Sequence, residues 1–453
     1  MDKQNSGISK FIEAKLMPIA VKLGNVKALI AIRDGITLGM PLILVGSIFL
    51  VIGSFPIPGW PEWLAATSIN HVAISDVLNK IVNGSFGLIG VVAAFGIAYH
   101  LAQQYRTDGV SAGIISLSAF FIVTPNLLSG DKVPAAGMPY LYLGSRGLFI
   151  GILLGLLSGY VFQFFINRDI QIKMPDTVPP AVSKSFSALI PGAVILTFVG
   201  LIYAILMWTG IGNIHDLLLH IFEKPFSLLG DTIVGTLLST LLVSIFWFVG
   251  IHGANLVNSI ISPIWLMNTD ANRALFQKGD LDLAHGAHII TQPFIDNFVY
   301  MGGGGATLGL VVAIAILVWT GKASEQNKVL SPLTLTPGLF NINEPAMFGL
   351  PIVLNISLLI PFILAPMVNV TTTYLAMKIG LVPLTTGALA SWTMPPIISG
   401  FIVTNSWTGS VLQLINLVLD ILVYLPFIFT INREQKMQEA GIDLNTAITN
   451  QKQ

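Results

Sequence analysis

The chain has 453 residues, 54% of them hydrophobic and only 10% charged. Soluble domains carry about 25% charged residues, so a chain this apolar reads as a protein solvated by a bilayer. A formal net charge of zero offers no basic footprint for nucleic acid, and the lack of cysteine excludes disulfides and thiolate sites from these residues. No glycine-rich phosphate loop with its lysine supports an ATP-driven pump.

The N-terminal stretch "SKFIEAKLMPIAVKLGNVKALIAI" interleaves lysines with apolar residues. Phe11, Ile12, Leu16, Ile19 and Leu23 share a helical face, with Lys10, Lys15 and Lys22 beside it. This is the pattern of an amphipathic helix lying in the membrane interface, with a solvated arm as the alternative, and not of a cleavable signal. A span needs about 20 mostly apolar residues. Uncharged candidates run Gly35–Val51, Ile81–Gln103, Gly109–Ser129, Gly147–Asn167, Ala188–Gly210, Thr232–Gly250 and Gly302–Thr320. The longer uncharged stretches Pro345–Met377 and Ile379–Leu419 follow, with the last span reaching Phe429. The expected fold is therefore an all-α polytopic membrane protein of about ten transmembrane helices with partly inserted segments besides.

Loop charge orients it. Lys3, Lys10, Lys15, Lys22 and Lys27 precede the first span, Arg106 follows the second, and Arg168, Lys173 and Lys184 follow the fourth. The alternate loops are poorer in positive charge, which predicts a cytoplasmic N-terminus. The tail with Arg433, Lys436 and Lys452 is expected on the same side. The texture changes along the chain. Residues 1–215 read as a scaffold half of ordinary spans, 225–432 as a transport half, and 433–453 as a cytoplasmic tail. The second half is interrupted at "GIHGAN", "HIITQPFIDNFVYMGGGGAT", "LFNINEP" and "SWTMPPIISG". Non-helical backbone at membrane depth must be buried in protein or line a watery cavity, and broken helices mark binding sites in transporters.

Polar residues in those breaks are the site candidates. Glu344 lies between Asn343 and Pro345, in a run with no Asp, Glu, Lys or Arg from Pro345 to Met377. Pro345 suits the first turn of a helix and leaves Glu344 at a break. A carboxylate at the bilayer centre costs about 2.5–3.5 kcal/mol on insertion scales, so Glu344 reads as functional or as paired with a distant cation. His252, flanked by Gly250 and Gly253, is either a packing residue or a chemical one. Asp296 and Asn297 precede the run Gly302–Gly305, and Asp296 can serve as cap, buried acceptor or substrate contact. His285 and His288 are three apart and could meet on a helix face, but no third metal ligand accompanies them, so no metal and no cofactor is expected. Trp247, Trp265, Trp392 and Trp407 can stack on the apolar face of a sugar or simply anchor at the interface, Trp392 standing closest to a break. His100 and Asp420 are expected to be structural.

The segments "GIHG", "TQPFIDNFVYMGGGGATLGL", "LFNINEPAMFGLPIVLN" and "WTMPPIISGF" resemble the membrane-embedded IIC permeases of the bacterial sugar phosphotransferase system, of the lactose, cellobiose and diacetylchitobiose class. The resemblance covers essentially the whole chain, and the Asn-Glu-Pro segment and the "IHG" turn are its specific parts. Gly304 stands where Ser is frequent, Ile356 where Pro often follows, and Ser391 and Met394 replace the commoner Pro and Thr around Trp392. The resemblance implies a multi-pass protein of the bacterial plasma membrane, a homodimer with an N-terminal dimer scaffold and a C-terminal half that has two re-entrant hairpins and holds the sugar. It implies a β-linked disaccharide as substrate and a IIB partner, charged by IIA, that transfers phosphoryl from a phosphocysteine to the C6 hydroxyl. Glu344 and His252 would be the catalytic contacts of that hydroxyl. Asn343, Trp392, Trp247, Asp296, Asn297, His288 and Asn255 would form the substrate-binding set. With no cysteine here and a short tail, Ile431–Gln453, IIB is expected as a separate polypeptide. A proton-coupled sugar transporter would use the same Glu344 and His252 as a relay. No H-E-x-x-H or G-x-S-x-G motif supports an intramembrane enzyme.

Overall fold

The computed structural model describes Lys22 and residues 25–440, apart from 56, 58, 126, 129–134, 176, 211, 219–220, 222–229, 249–251, 351 and 353–354. The expected interfacial helix, with Phe11, Ile12, Leu16 and Ile19, lies outside them. The architecture is all-α and polytopic, as its composition demands. Among the described residues six helical segments are long and apolar enough to cross a membrane: Lys27–Gly53, Ile74–Gln104, Leu148–Asn167, Pro180–Trp208, Ser357–Lys378 and Trp407–Glu439. Gly109–Val123, Ile233–Phe248 and Thr307–Trp319 are shorter apolar helices. Among the described residues, extended structure amounts to two antiparallel pairs of two-residue strands, Ser68–Ile69 with Val72–Ala73 and Leu127–Leu128 with Ala135–Ala136.

The chain divides into two compact units. The first comprises Leu23–Gly230 and Asn258–Asp270. Its helices touch through small residues, because lipid supplies no hydrophobic drive between helices and close van der Waals approach must do the work. A Cβ on Gly151 would come within 2.6 Å of the Gly90 carbonyl oxygen, and one on Gly96 within 2.6 Å of that of Gly35. Around these contacts sit Ala94, Ala98, Ala112 and Ala119, filled out by Phe120, Ile150 and Phe162. Local signals set the helix ends. Asp108 caps Gly109–Val123 by accepting from the Ser111 N–H at 3.1 Å, and proline stands in the first turn at Met40–Gly53 and Pro180–Ser187.

The second unit consists, in its described part, of Asp231–Val257 and residues 271–440. Its helices are interrupted where the sequence is interrupted. Between Lys278 and Thr307 only one helical piece occurs, a π-helical turn at Phe294–Val299. Further breaks at 340–343 and 379–397 separate Glu325–Leu339, the short helix Glu344–Gly349, Ile356–Lys378, the short helix Ile398–Thr404 and the final helix Trp407–Glu439. That final helix runs on through residues 433–439, which the sequence reading assigned to the tail.

The broken backbone needs partners for its amide and carbonyl groups, since neither lipid nor a helix supplies them. One face of the final helix provides several. The Gln413 amide donates to the Asn297 carbonyl at 2.7 Å, and its oxygen accepts from the Ile397 N–H at 2.5 Å and the Gly400 N–H at 2.8 Å. Asn416 donates to Thr373 Oγ1 at 2.9 Å, and the Tyr424 hydroxyl donates to the Gly305 carbonyl at 2.6 Å. Ile397, a β-branched residue at φ +78°, is thus held from both sides, because its carbonyl accepts from Ser410 at 2.6 Å.

Candidate functional site

Four of the interruptions meet around the glycine run. Gly302, Gly303 and Gly305 have φ of +81°, +95° and +81°, a left-handed path that only glycine follows without strain. Asn341, itself at φ +60°, receives the Gly302 N–H on Oδ1 at 2.6 Å. Its amide nitrogen donates to the Trp392 carbonyl at 2.6 Å and to the Met394 carbonyl at 3.1 Å. One buried asparagine therefore ties the glycine turn to the "SWTMPP" loop. Asn343 adds a second tie, its amide donating to the Gly304 carbonyl at 3.1 Å.

Trp247 closes the circle from the end of the helix Ile233–Phe248. A Cβ on Gly304 would lie 2.5 Å from Trp247 Nε1, so the absence of a side chain there is what lets the indole rest on the turn. The indole nitrogen is buried with no hydrogen-bond partner among the described residues. The indole also lies against the His252 ring, with centroids 4.4 Å apart. His252 is the N-cap of the helix Gly253–Lys278, and its Nδ1 accepts the Asn255 N–H at 3.3 Å. A neutral His252 in this position carries its proton on Nε2, which makes that nitrogen a donor. A continuous path of contacts thus runs His252, Trp247, Gly304, Asn343, and along the chain to Glu344.

Glu344 opens the helix Glu344–Gly349, with Pro345 in its first turn, and is exposed. It forms no ion pair among the described residues. A carboxylate acceptor, an imidazole donor and buried amides are thereby grouped on a backbone of glycine turns. The arrangement suits a polyhydroxyl ligand, each of whose hydroxyls both donates and accepts.

The remaining candidates divide. Trp392 is 54% exposed, and Asn341 holds its carbonyl. Asn297 is buried, and neither of its side-chain polar atoms has a hydrogen-bond partner among the described residues. Asp296 accepts from Gln292 Nε2 at 2.9 and 3.0 Å, one turn back. Asn255 is exposed and contributes its backbone N–H to His252. Trp265 and Trp407 are engaged elsewhere, Trp265 donating to the Gly230 carbonyl at 3.1 Å and Trp407 lying against Phe401.

The two histidines three residues apart do not share a helix face, because residues 280–290 form turns that Gly279 and Gly286 permit. His288 pairs with Asp231 at 3.0 Å, and Asn272 holds its backbone with two bonds of 2.8 Å. His285 pairs with Asp282 at 2.8 Å. The His285 backbone N–H and ring hold the Asp282 carboxyl below its ordinary value, and the carboxylate in turn raises the imidazole. Among the described residues no group of three or more His, Cys, Asp or Glu could hold a metal.

Sequence reasoning missed Asn341, Gln413 and Asn369. Asn341 stood inside the "LFNINEP" segment, two residues before a chosen one. Gln413, Asn416, Asp420 and Tyr424 recur three or four apart in an apolar span, a polar stripe that helical spacing exposes once it is sought.

Comparison with known proteins agrees with this architecture. Residues 33–366 match the family model described as "Phosphotransferase system, EIIC". The lichenan permease IIC component of Bacillus subtilis is 40% identical over 445 residues, covering 96% of each chain. A cellobiose-specific EIIC component of Geobacillus stearothermophilus is 41% identical over 442 residues, again covering 96% of each. The crystal structure of the transporter ChbC, the IIC component from the N,N'-diacetylchitobiose-specific phosphotransferase system, superposes with a TM-score of 0.88 at 39% identity, over 96% of this chain and 100% of that one. The chain belongs to the EIIC family of the sugar phosphotransferase system.

Proposed function

We propose that this EIIC permease binds a β-linked disaccharide of the cellobiose or diacetylchitobiose type and carries it inward, coupled to phosphorylation of its C6 hydroxyl. The observation that carries the reading is the contact path from His252 through Trp247 and the Gly304 turn to Asn343 and Glu344. In it Glu344 accepts the hydroxyl proton as oxygen attacks phosphorus, the role a carboxylate at hydrogen-bond distance fills in phosphoryl transfer. His252 donates from Nε2 to the same oxygen and orients its lone pair, Asn343 fixes the turn, and Trp392 offers an apolar face to a sugar ring. Asn297 supplies an amide with both ends open to a hydroxyl.

None of these residues is cysteine, so in this reading the phosphocysteine sits on a IIB component that docks on the cytoplasmic face and is charged by IIA. The permease lies in the bacterial plasma membrane as a homodimer with cytoplasmic termini. The experiment is the chemical form of the sugar just after entry, using labelled cellobiose, diacetylchitobiose or lactose in cells that do or do not supply IIB. A 6-phosphate that appears only with IIB supports the reading. Free sugar that follows the proton gradient would make the chain a symporter, with Glu344 carrying the proton.

A further inference from the structure

Asp420 is a carboxyl group that the proposed chemistry does not use. It stands on the final helix and is fully buried. Its Oδ2 accepts from Asn369 Nδ2 at 3.0 Å, and the second hydrogen of that amide goes to the Val299 carbonyl at 3.2 Å, where the π-helical turn ends. Two oxygens are left over. Asp420 Oδ1 and Asn369 Oδ1 are both buried with no donor among the described residues.

Among the described residues no cation pairs with Asp420. From Thr307–Trp319 the facing residue is Gly309, where a Cβ would run into that of Asp420. From Ile356–Lys378 it is Asn369, and from the broken segment it is the Val299 backbone. Of the titratable groups on the surrounding elements, Tyr424 donates to Gly305, the Asp296 carboxylate is taken by Gln292, and Tyr300 follows Val299 in the chain. None of these is basic, and the cation of the helix that carries Asn369, Lys378 at its C-terminal end, lies over the Tyr374 ring. An ionised Asp420 would keep one amide bond for a full charge and leave the Asn369 oxygen empty, a costly state in a buried membrane site. One proton on Oδ1 resolves both deficits, because it turns that oxygen into a donor for Asn369 Oδ1. The two side chains then close a ring of one O–H···O and one N–H···O bond.

We propose that Asp420 is carried as a neutral carboxylic acid, paired with Asn369 as an acid–amide ring, and acts as a positioning residue for the Val299 end of the segment on which the sugar site is built. The ring frees the outer Asn369 hydrogen for Val299, and Tyr424, one turn further along, holds Gly305 at the other end of the same loop.

The test compares Asp420→Asn with Asp420→Val in the full chain, in nanodiscs, by two readouts. Asp420→Asn restores a donor toward Asn369 Oδ1, so cellobiose affinity and the melting midpoint stay close to the parent, within about twofold in Kd. Asp420→Val leaves one Asn369 amide hydrogen and the Asn369 oxygen unpaired and loses about tenfold or more in Kd, with a lower midpoint. Infrared spectra at neutral pH show the carbonyl band of a buried protonated acid in the parent, which disappears in Asp420→Asn. An Asp420→Asn variant as impaired as Asp420→Val, or a parent spectrum without that band, overturns the proposal. The affinity arm rests on the disaccharide reading above, whereas the infrared and melting arms need no sugar. A parent that fails to bind cellobiose therefore counts against that reading alone.

Discussion

The two units of the chain answer the same solvent in opposite ways. In the described part of Leu23–Gly230 the backbone bonds mostly to itself within helices, and what remains is to bring those helices close, which Gly35, Gly90, Gly96 and Gly151 accomplish by having no side chain. In Asp231–Val257 and residues 271–440 the backbone is broken, and side-chain amides take over the bonding that a helix would have provided. Asn341, Asn343, Asn369, Gln413 and Asn416 each hold a carbonyl or N–H of an interrupted segment. The difference teaches where a ligand can bind. A continuous helix has no polar backbone to offer, whereas a broken one held by amides presents both backbone and side-chain groups at fixed positions.

The comparison breaks most sharply at Glu344. Glu344→Gln should lower IIB-dependent formation of sugar phosphate by about a hundredfold or more, as loss of a general base does. Full turnover by that variant, measured by product analysis, would remove Glu344 from the chemistry. Next comes the amide framework. Asn341→Ala strands the Gly302 N–H and two carbonyls, at about 1–3 kcal/mol for each buried group left unmet, so cellobiose affinity should fall at least tenfold. Unchanged binding would show that the glycine turn holds its shape without help.

Gly90→Val tests the other unit. A Cβ there would lie 2.6 Å from the Gly144 carbonyl oxygen, so the variant should lose about 1–3 kcal/mol of stability by overpacking while its folded fraction binds cellobiose like the parent. An affinity loss at unchanged melting temperature would contradict the division of roles. Trp392→Ala should weaken binding by about 0.5–1.5 kcal/mol, the worth of a stacking face, and calorimetry decides whether that indole touches sugar.

The smallest effect belongs to the turn pair of Asp282 and His285. Because the Asp282 carboxyl is held below its ordinary value, its contribution is present above that value and fades as pH falls through the lowered one. Because His285 is raised, its contribution is full below the ordinary imidazole value and is lost as pH rises through the raised one. His285→Ala should therefore remove only a shallow pH dependence of melting in that window, and leave cellobiose affinity untouched.

Much of the architecture was legible before any coordinates. The 54% apolar composition required a bilayer, and the interruptions at "LFNINEP" and "SWTMPPIISG" announced non-helical backbone. Glu344 was legible because a lone carboxylate in an apolar run is conspicuous. Asn341 was not, since an uncharged amide in a loop carries no such signal. The pairing of His285 with Asp282 rather than with His288 was hidden too, because residues three apart suggest a shared face only if they lie on a helix.

Sequence alone determined the solvent, the helical class and several of the places where helices stop, since these follow from local hydrophobicity and from proline and glycine, while the breaks after Thr37 and Phe86 fell inside stretches it read as single spans. It also determined that the charged site residues would be few. Only the tertiary structure decided that Trp247 rests on Gly304, that Asn341 bridges residues 302 and 392–394, and that Asp420 meets Asn369. Those pairings link segments far apart in the chain, and a hydrogen bond between distant side chains leaves no periodicity in the sequence to announce it.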